Sequence, residues 1–135
     1  MSKPEVFCDS GAASDVLREL EQQGKVTLLV VPEDADIRHG GPRVSDLFLR
    51  MGAKGVPRKE DTTSPQYEAI LGILGFEHRR EATLLDAAKN RGCTIFVTQD
   101  SDVLRRREKL EALLAGLRIL HPFRDEAALR ALGEP

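Results

Sequence analysis

The chain has 135 residues, of which 41% are hydrophobic and 31% are charged. This length and composition predict one folded domain spanning residues 1–135 and exclude a disordered chain. With 20 basic and 22 acidic residues the net charge is −2, so bulk electrostatic attraction to nucleic acid is not expected.

Features of membrane insertion and secretion are not found in the sequence. No apolar run approaches the roughly 20 residues that a membrane-spanning helix needs, and residues 1–5 lead into a short strand instead of a hydrophobic leader. Cys8 and Cys93 lie in or beside predicted buried strands, without the spacing of a zinc site. We therefore expect a cytoplasmic protein with no membrane partner and with two buried free thiols.

The N-terminal part begins with a short apolar strand at 6–8, which ends at Asp9 and Ser10. Apolar residues recur every three or four positions over 12–23, which predicts an amphipathic helix. An apolar, β-branched run then predicts a strand over 25–31, and a turn-rich acidic loop follows it.

The middle of the chain is predicted to be mostly helical. A short helix is expected over 44–51, followed by an aperiodic loop over 52–63 that is rich in Gly, Pro and basic residues. The next helix should start at Pro65 with Ser64 as its cap. A longer helix is predicted over 79–90, before a glycine.

The C-terminal part contains two further strands. They are predicted at 94–98 and 117–120, with a charged helix over 102–115 between them and a final helix over 124–132. Strands that alternate with helices predict an α/β fold with three layers, α/β/α, around a mostly parallel sheet of four or five strands.

Acidic side chains follow the carboxyl ends of the predicted strands. These residues are Asp9, Asp36, Asp100 and Asp102, and Glu81 lies in the first turn of the helix before the third strand. Clustered carboxylates repel one another unless they are protonated or share a cation, and Mg²⁺ and Mn²⁺ prefer oxygen ligands. A metal-bound water can act as a nucleophile near neutral pH, so the pattern points to metal-assisted phosphodiester hydrolysis.

Helix capping is the alternative interpretation of two of these groups. Asp9 or Ser10 could cap the first helix, and Asp100 or Ser101 could cap the helix after the third strand, because Asp and Ser accept hydrogen bonds from free amides of a first turn. The sequence leaves both alternatives open.

Four motifs occur in a defined order. Residues 7–10 read Phe-Cys-Asp-Ser at a strand end, and residues 81–92 combine an acid, an apolar helix with small residues and a closing Gly. Residues 98–102 read Thr-Gln-Asp-Ser-Asp, and residues 116–123 form a last strand before a helix. In this order the chain resembles PIN domains, the metal-dependent nucleases that include the toxins of many bacterial toxin–antitoxin pairs.

The resemblance implies an endoribonuclease that hydrolyses phosphodiester bonds of RNA with Mg²⁺ or Mn²⁺. The implied catalytic residues are Asp9, Glu81, Asp100 and Asp102, the implied metal ligands are Asp9, Asp36, Glu81 and Asp100, and the hydroxyls that hold these carboxylates are Ser10 and Thr98. A toxin of this family would pair with a small antitoxin protein, and a homodimer is compatible with the resemblance.

The chain departs from the family pattern in its second acid. Either Asp36 or Asp46 could supply it, Glu81 stands where Asp is more usual, and residues 40–75 have no match. One alternative is therefore a PIN-like domain with a degraded acidic site that acts as a binding or interaction module. A receiver-like signalling domain is another, but it needs a Lys after a late strand, where this chain has His121 and Pro122.

Basic residues near the acids are the candidates for contacts with phosphates. These residues are Arg38, His39, Arg43, His78, Arg79 and Arg80. The basic residues at 105–109 are expected to be a solvated helix face. With 4% aromatic residues, base stacking is expected to contribute little.

Overall fold

A computed structural model of the protein describes residues 3–31 and 65–132. The helix predicted over 44–51 and the candidate acids Asp36 and Asp46 lie outside the described residues. The same holds for three candidate nucleic-acid contacts, Arg38, His39 and Arg43.

Within residues 3–31 and 65–132, four short strands form one parallel sheet. They are β1 (Glu5–Cys8), β2 (Thr27–Val30), β3 (Ile95–Val97) and β4 (Arg118–Leu120). Their order in the sheet is β2-β1-β3-β4, and every neighbouring pair runs parallel. The predicted α/β class with a parallel sheet of four or five strands is confirmed.

Six α-helices in the described residues connect and cover these strands. They are α1 (Asp15–Gln22), α2 (Gln66–Leu74), α3 (Arg79–Arg91), α4 (Ser101–Arg105), α5 (Arg107–Leu113) and α6 (Glu126–Ala131). A short 3-10 helix, Phe76–His78, leads directly into α3.

The single helix predicted over 102–115 is wrong, because the segment is interrupted at Arg106. The φ and ψ angles of Arg106 are −108° and 14°, and its amide donates to the carbonyl of Val103, three residues back, at 3.1 Å. This tight turn ends α4, and α5 begins at the next residue. Hydrophobic periodicity does not reveal the interruption, since Val103 and Leu110 are both fully buried on either side of it.

Alternate residues of the strands pack on opposite faces of the sheet. Phe7 and Phe96, neighbours on β1 and β3, stack with their ring centroids 5.4 Å apart and belong to the apolar cluster that includes α2, α3, α4 and α5. Val6 and Ile95 belong to a second cluster with α1 and α6. Burial of both faces explains why these parallel strands read as nearly continuous apolar runs.

Helix α3 is buried on almost every side. All residues from Ala82 to Ala88 are buried, and the small side chains among them allow close packing against the sheet and α2. Gly92 ends the helix in the left-handed conformation, with φ of 94°, which glycine adopts without strain. Because α3 leads into the amino end of β3, its own first turn lies at the carboxyl edge of the sheet.

The connections after β1 and β3 leave the sheet on opposite faces. α1 follows β1 on one face, whereas α4 and α5 follow β3 on the other. Since β1 and β3 are adjacent, a crevice opens at their carboxyl ends. In open α/β sheets this switch point is where ligands bind.

The two cysteines are free and buried. Burial raises the pKa of the Cys8 thiol to about 12, and it raises that of Cys93 to about 12 as well. Both thiols are therefore protonated and unreactive at neutral pH. Within residues 3–31 and 65–132, no helix combines the length and apolar character needed to cross a membrane.

Candidate active site at the carboxyl edge of the sheet

Asp9 follows β1 and is buried, with 8% of its surface exposed. Its Oδ1 accepts from the Ser10 amide at 2.8 Å and from Arg80 Nη1 at 3.0 Å. Its Oδ2 accepts from the Thr98 hydroxyl at 3.2 Å. A buried carboxylate needs such partners, because desolvation without them is costly.

Neither Asp9 nor Ser10 caps the first helix. The cap of α1 is Ser14, whose hydroxyl oxygen accepts from the Leu17 amide at 3.4 Å. The helix starts at Asp15, three residues later than predicted. The side chain of Asp9 is thus directed to the end of the neighbouring strand and not to the helix that follows it.

Thr98 joins the ends of β1 and β3. Its hydroxyl donates to Asp9 Oδ2 and accepts from the Asp100 amide at 3.0 Å, and the residue is fully buried. The Thr98 hydroxyl therefore positions two acidic residues. It holds the carboxylate of Asp9 after β1 and the backbone of Asp100 after β3.

Asp100 caps α4, as the capping alternative had it. Its Oδ1 accepts from the amides of Asp102 and Val103 at 2.9 and 3.0 Å. Capping uses only one carboxylate oxygen of Asp100. The negative charge of Asp100 also raises the pKa of Glu81. The cap and a role in a metal site are therefore compatible for this residue.

Arg80 lies between the acids, on the first turn of α3. Its Nη1 is 3.0 Å from Asp9 Oδ1 and 3.6 Å from Glu81 Oε1, and its Nη2 donates to the Ser10 hydroxyl at 3.3 Å. The guanidinium partly neutralises the negative charge at the crevice. The sequence position of Arg80 predicts a phosphate contact, whereas its contacts in the structure are with Asp9, Ser10 and Glu81.

Glu81 has a raised carboxyl pKa. Desolvation by burial is the largest cause, and the negative charges of Asp100 and Asp9 raise the pKa further. Arg80 and a backbone hydrogen bond oppose this effect without cancelling it. Asp9, Glu81 and Asp100 are thus close enough to influence one another electrostatically, and the Arg80 guanidinium does not fully compensate for their negative charge.

Asp102 belongs to a separate cationic cluster. Its carboxylate contacts Arg105, lies 3.3 Å from His78 Nε2 and lies 3.7 Å from Arg106 Nη1. The hydrogen bond from Arg105 is the main cause that lowers the pKa of Asp102. Through His78, this cluster connects α4 to the segment immediately before α3.

The remaining candidates lie further from the acids. The Arg79 guanidinium stands 5.0 Å above the Phe76 ring, an arrangement typical of a cation–π contact. Asp86 is a buried acid on the same helix as Glu81, and it accepts from Gln66 Nε2 at 3.0 Å. The 100° rotation per residue of an α-helix explains its separation from Glu81.

The donors at the crevice suit a hard divalent cation in chemical type. Asp9, Glu81 and Asp100 offer carboxylate oxygens, which Mg²⁺ and Mn²⁺ prefer. Within the part of the chain that the structure describes, no three His, Cys, Asp or Glu side chains are arranged to hold a metal ion. A cation bound by Asp9 and Glu81 would replace the contacts that Arg80 now makes with them.

Two exposed phenylalanines at this edge were not expected from the sequence. Phe76 is 69% exposed and Phe123 is 62% exposed, and they precede α3 and follow β4, so both lie near the carboxyl ends of strands. The aromatic content of 4% does not indicate that any phenylalanine is exposed. The available signal is their position outside any apolar stripe, since Phe76 directly follows Gly75 and Phe123 directly follows Pro122.

No protein-family model matches the chain, and no curated protein or solved structure matches it. The resemblance to PIN domains therefore rests on the sequence motifs.

Replacing Glu81 by Gln is expected to stabilise the metal-free protein at neutral pH. The usual pKa of a Glu is 4.5 and that of Glu81 is raised, so the charged form is disfavoured in the folded state. Well below pH 4.5 the carboxyl group is protonated in both states and does not change the free energy of unfolding. As the pH rises through the pKa values of the unfolded and folded states, the free energy of unfolding falls, and above both pKa values the loss is complete. Glu81→Gln removes that loss.

The measurement is thermal unfolding in the presence of a chelator at pH 7 and at pH 4. The Tm of Glu81→Gln should exceed that of the wild type at pH 7 only. Glu77→Gln is the matched control, because the Glu77 side chain is 75% exposed and should not affect the Tm at either pH. A lower Tm for Glu81→Gln at pH 7 would show that the carboxylate is stabilised by its surroundings.

Proposed function

We propose that the protein is a divalent-metal-dependent endoribonuclease of the PIN type, with Asp9, Glu81 and Asp100 as its acidic centre. The observation that supports it most is the position of Asp9 and Asp100. They follow the two adjacent strands whose connections leave on opposite faces, and the Thr98 hydroxyl links them. This is the position of ligand sites in open α/β sheets.

The raised pKa of Glu81 also supports the proposal. It reflects burial together with the negative charge of Asp100 and Asp9, and a divalent cation would relieve this repulsion better than one shared guanidinium. When bound, Mg²⁺ or Mn²⁺ would supply an activated water and neutralise a phosphodiester. Asp9 would be oriented for this role by Thr98 and by the Ser10 amide.

RNA is proposed as the substrate because of the resemblance to PIN domains, and cationic side chains near the acids could contact its phosphates. Arg79 and His78 lie on or just before α3, and Arg38, His39 and Arg43 are the further candidates from the sequence. Asp102 would assist through its contact with His78, 3.3 Å away. A cytoplasmic location, a small antitoxin partner and a homodimer are parts of the same proposal.

The test is Mn²⁺ binding by calorimetry to the wild type and to Asp9→Asn. We expect wild-type binding, and a loss of affinity of at least about tenfold in the variant, because a ligand carboxylate is removed. The control is Asp15→Asn, the same change at an exposed residue in the first turn of α1. Equal Mn²⁺ affinities of all three proteins would contradict the proposal.

A second candidate function is a binding module with no nuclease activity. It is favoured by the ion pair of Arg80 and Asp9 at 3.0 Å and by the use of Asp100 as a cap, since both satisfy the acids within the protein. This alternative requires that the wild type bind no Mn²⁺ in the calorimeter and that removal of Arg80 create no metal affinity.

A further inference from the structure

A pocket of about 230 Å³ opens beside the acidic crevice, and the acidic centre does not use it. It is lined by Ser101, Leu104, Arg105, Arg107, His121, Arg124 and Asp125. Ser101 begins α4, just after β3, and His121 directly follows β4. The pocket therefore lies at the same carboxyl edge of the sheet as Asp9 and Asp100, displaced toward β4.

The lining is cationic overall, with three arginines and one aspartate. Arg107 pairs with Asp125 at 3.0 Å, and Arg105 contacts Asp102. Asp125 Oδ2 also accepts from the His121 amide at 2.8 Å, so this acid holds the wall of the pocket together. Guanidinium groups gathered in a concave site are typical of phosphate recognition.

His121 contributes a defined donor to the same wall. Its Nδ1 accepts from the amides of Phe123 and Arg124, both at 3.1 Å. This assigns Nδ1 as the acceptor, so Nε2 carries the proton of the neutral ring. The ring can therefore donate to an anion without being charged.

An aromatic surface adjoins the cationic lining. The Phe123 ring lies 5.9 Å from the His121 ring, tilted by 59°, and Phe123 is 62% exposed. It lies between two lining residues, His121 and Arg124. An exposed aromatic ring beside a phosphate-binding pocket is the combination that proteins use to hold single-stranded nucleic acid, by stacking the base and pairing the phosphate.

We propose that this pocket binds one nucleotide of a single-stranded RNA, with the phosphate among the arginines and the base stacked on Phe123. The choice of RNA as the ligand rests on the proposed function. β4 lies two strands from β1 in the sheet, about 10 Å away at the usual strand spacing. A strand of RNA that passes the acids can therefore place another of its nucleotides here.

The test measures the binding of a fluorescent single-stranded oligoadenylate RNA in the presence of a chelator, where no metal-dependent cleavage occurs. Phe123→Ala should weaken binding about tenfold, and Phe123→Trp should restore it, since every base can stack on an aromatic face. Arg124→Gln should weaken binding about tenfold and lower the slope of log affinity against log salt by roughly 0.7, the value for one phosphate contact on a single strand.

The matched control is Arg118→Gln. Arg118 is exposed and begins β4, at the opposite edge of the sheet from the pocket, so its removal should leave the affinity unchanged. A loss in Arg118→Gln equal to that in Arg124→Gln would show non-specific attraction and overturn the proposal. A Phe123→Ala variant that binds like the wild type would also overturn it.

Adenosine 5′-monophosphate and inorganic phosphate are compared with the oligonucleotide. The RNA should bind more tightly than the mononucleotide, and the mononucleotide more tightly than phosphate. A mononucleotide affinity equal to that of the RNA would overturn the RNA assignment. The binding assay contains no metal, so its result does not depend on cleavage. If the protein fails to cleave RNA but still binds it in a Phe123-dependent way, the nuclease proposal is wrong and the nucleotide-binding site is supported.

Discussion

Replacing Asp100 by Asn is expected to abolish Mn²⁺-dependent RNA cleavage while the protein keeps its fold. Removal of a group that only orients a metal ligand typically costs 10–100-fold, so loss of a ligand carboxylate should cost on the order of 100-fold or more. The measurement is cleavage of a labelled RNA in Mn²⁺, together with thermal unfolding of the same samples.

The substitution separates the two roles of Asp100. Its Oδ1 accepts from the amides of Asp102 and Val103, and the amide oxygen of Asn caps helices about as well as Asp does. The cap of α4 is therefore kept, and the unfolding temperature should change little. Only the negative charge at the crevice is lost, so a loss of cleavage would be attributable to that charge.

Asp100→Ala provides the complementary control. It removes the cap as well as the charge, and loss of an N-cap side chain costs about 1 kcal/mol of stability. The alanine variant should be less stable than the asparagine variant and equally inactive. If Asp100→Asn cleaves RNA at the wild-type rate, Asp100 is a cap only and the proposed acidic centre is wrong.

The fold was predictable because its parallel strands are buried on both faces. The strands β1 and β3 pack Phe7 and Phe96 on one side and Val6 and Ile95 on the other, so each reads as a short apolar run. Because predicted helices alternate with these apolar runs, the pattern predicts an α/β fold with a parallel sheet. The edge that carries the acids follows from the direction of the strands.

The pairings within the site were not predictable from the sequence. Asp9 and Arg80 are 71 positions apart, and nothing in either local sequence indicates that they meet. Their contact depends on how α3 is rotated against the sheet, which the packing of its buried residues decides. The position of Arg80 before Glu81 therefore indicates a phosphate contact, whereas its observed partners are Asp9, Ser10 and Glu81.

Surface features depend on tertiary structure in the same way. A phenylalanine is ordinarily assigned to the core, yet Phe76 and Phe123 are largely exposed. The cationic pocket combines residues from α4, α5 and the segment after β4. Basic residues that look like a solvated helix face in sequence, such as Arg105 and Arg107, become the wall of a pocket only once these elements pack together.

Arg80→Gln is expected to raise the Mn²⁺ affinity of the protein by about tenfold. The guanidinium contacts Asp9 at 3.0 Å and lies 3.6 Å from Glu81, so it competes with a metal ion for the same carboxylates. A hydrogen bond to a charged group contributes about 1.5–3 kcal/mol, and release of 1.4 kcal/mol corresponds to a tenfold change in affinity. The measurement is calorimetric titration with Mn²⁺.

The same substitution should lower stability in the absence of metal. The buried Asp9 side chain would lose its cationic partner, and such a loss is strongly destabilising for fully buried pairs. Because the Arg80 side chain is 34% exposed, we expect a smaller loss of about 1–2 kcal/mol. Saturating Mn²⁺ should recover this loss, since a ligand at 100 times its Kd adds about 2.7 kcal/mol.

Arg79→Gln is the matched control, because Arg79 is the adjacent residue and lies over the Phe76 ring. It should leave the Mn²⁺ affinity unchanged. A lower affinity in Arg80→Gln than in the wild type would mean that Arg80 supports the metal site instead of competing for it. A destabilised Arg80→Gln with no metal affinity at all would mean that the Arg80–Asp9 pair is structural, and would favour the binding module over the nuclease.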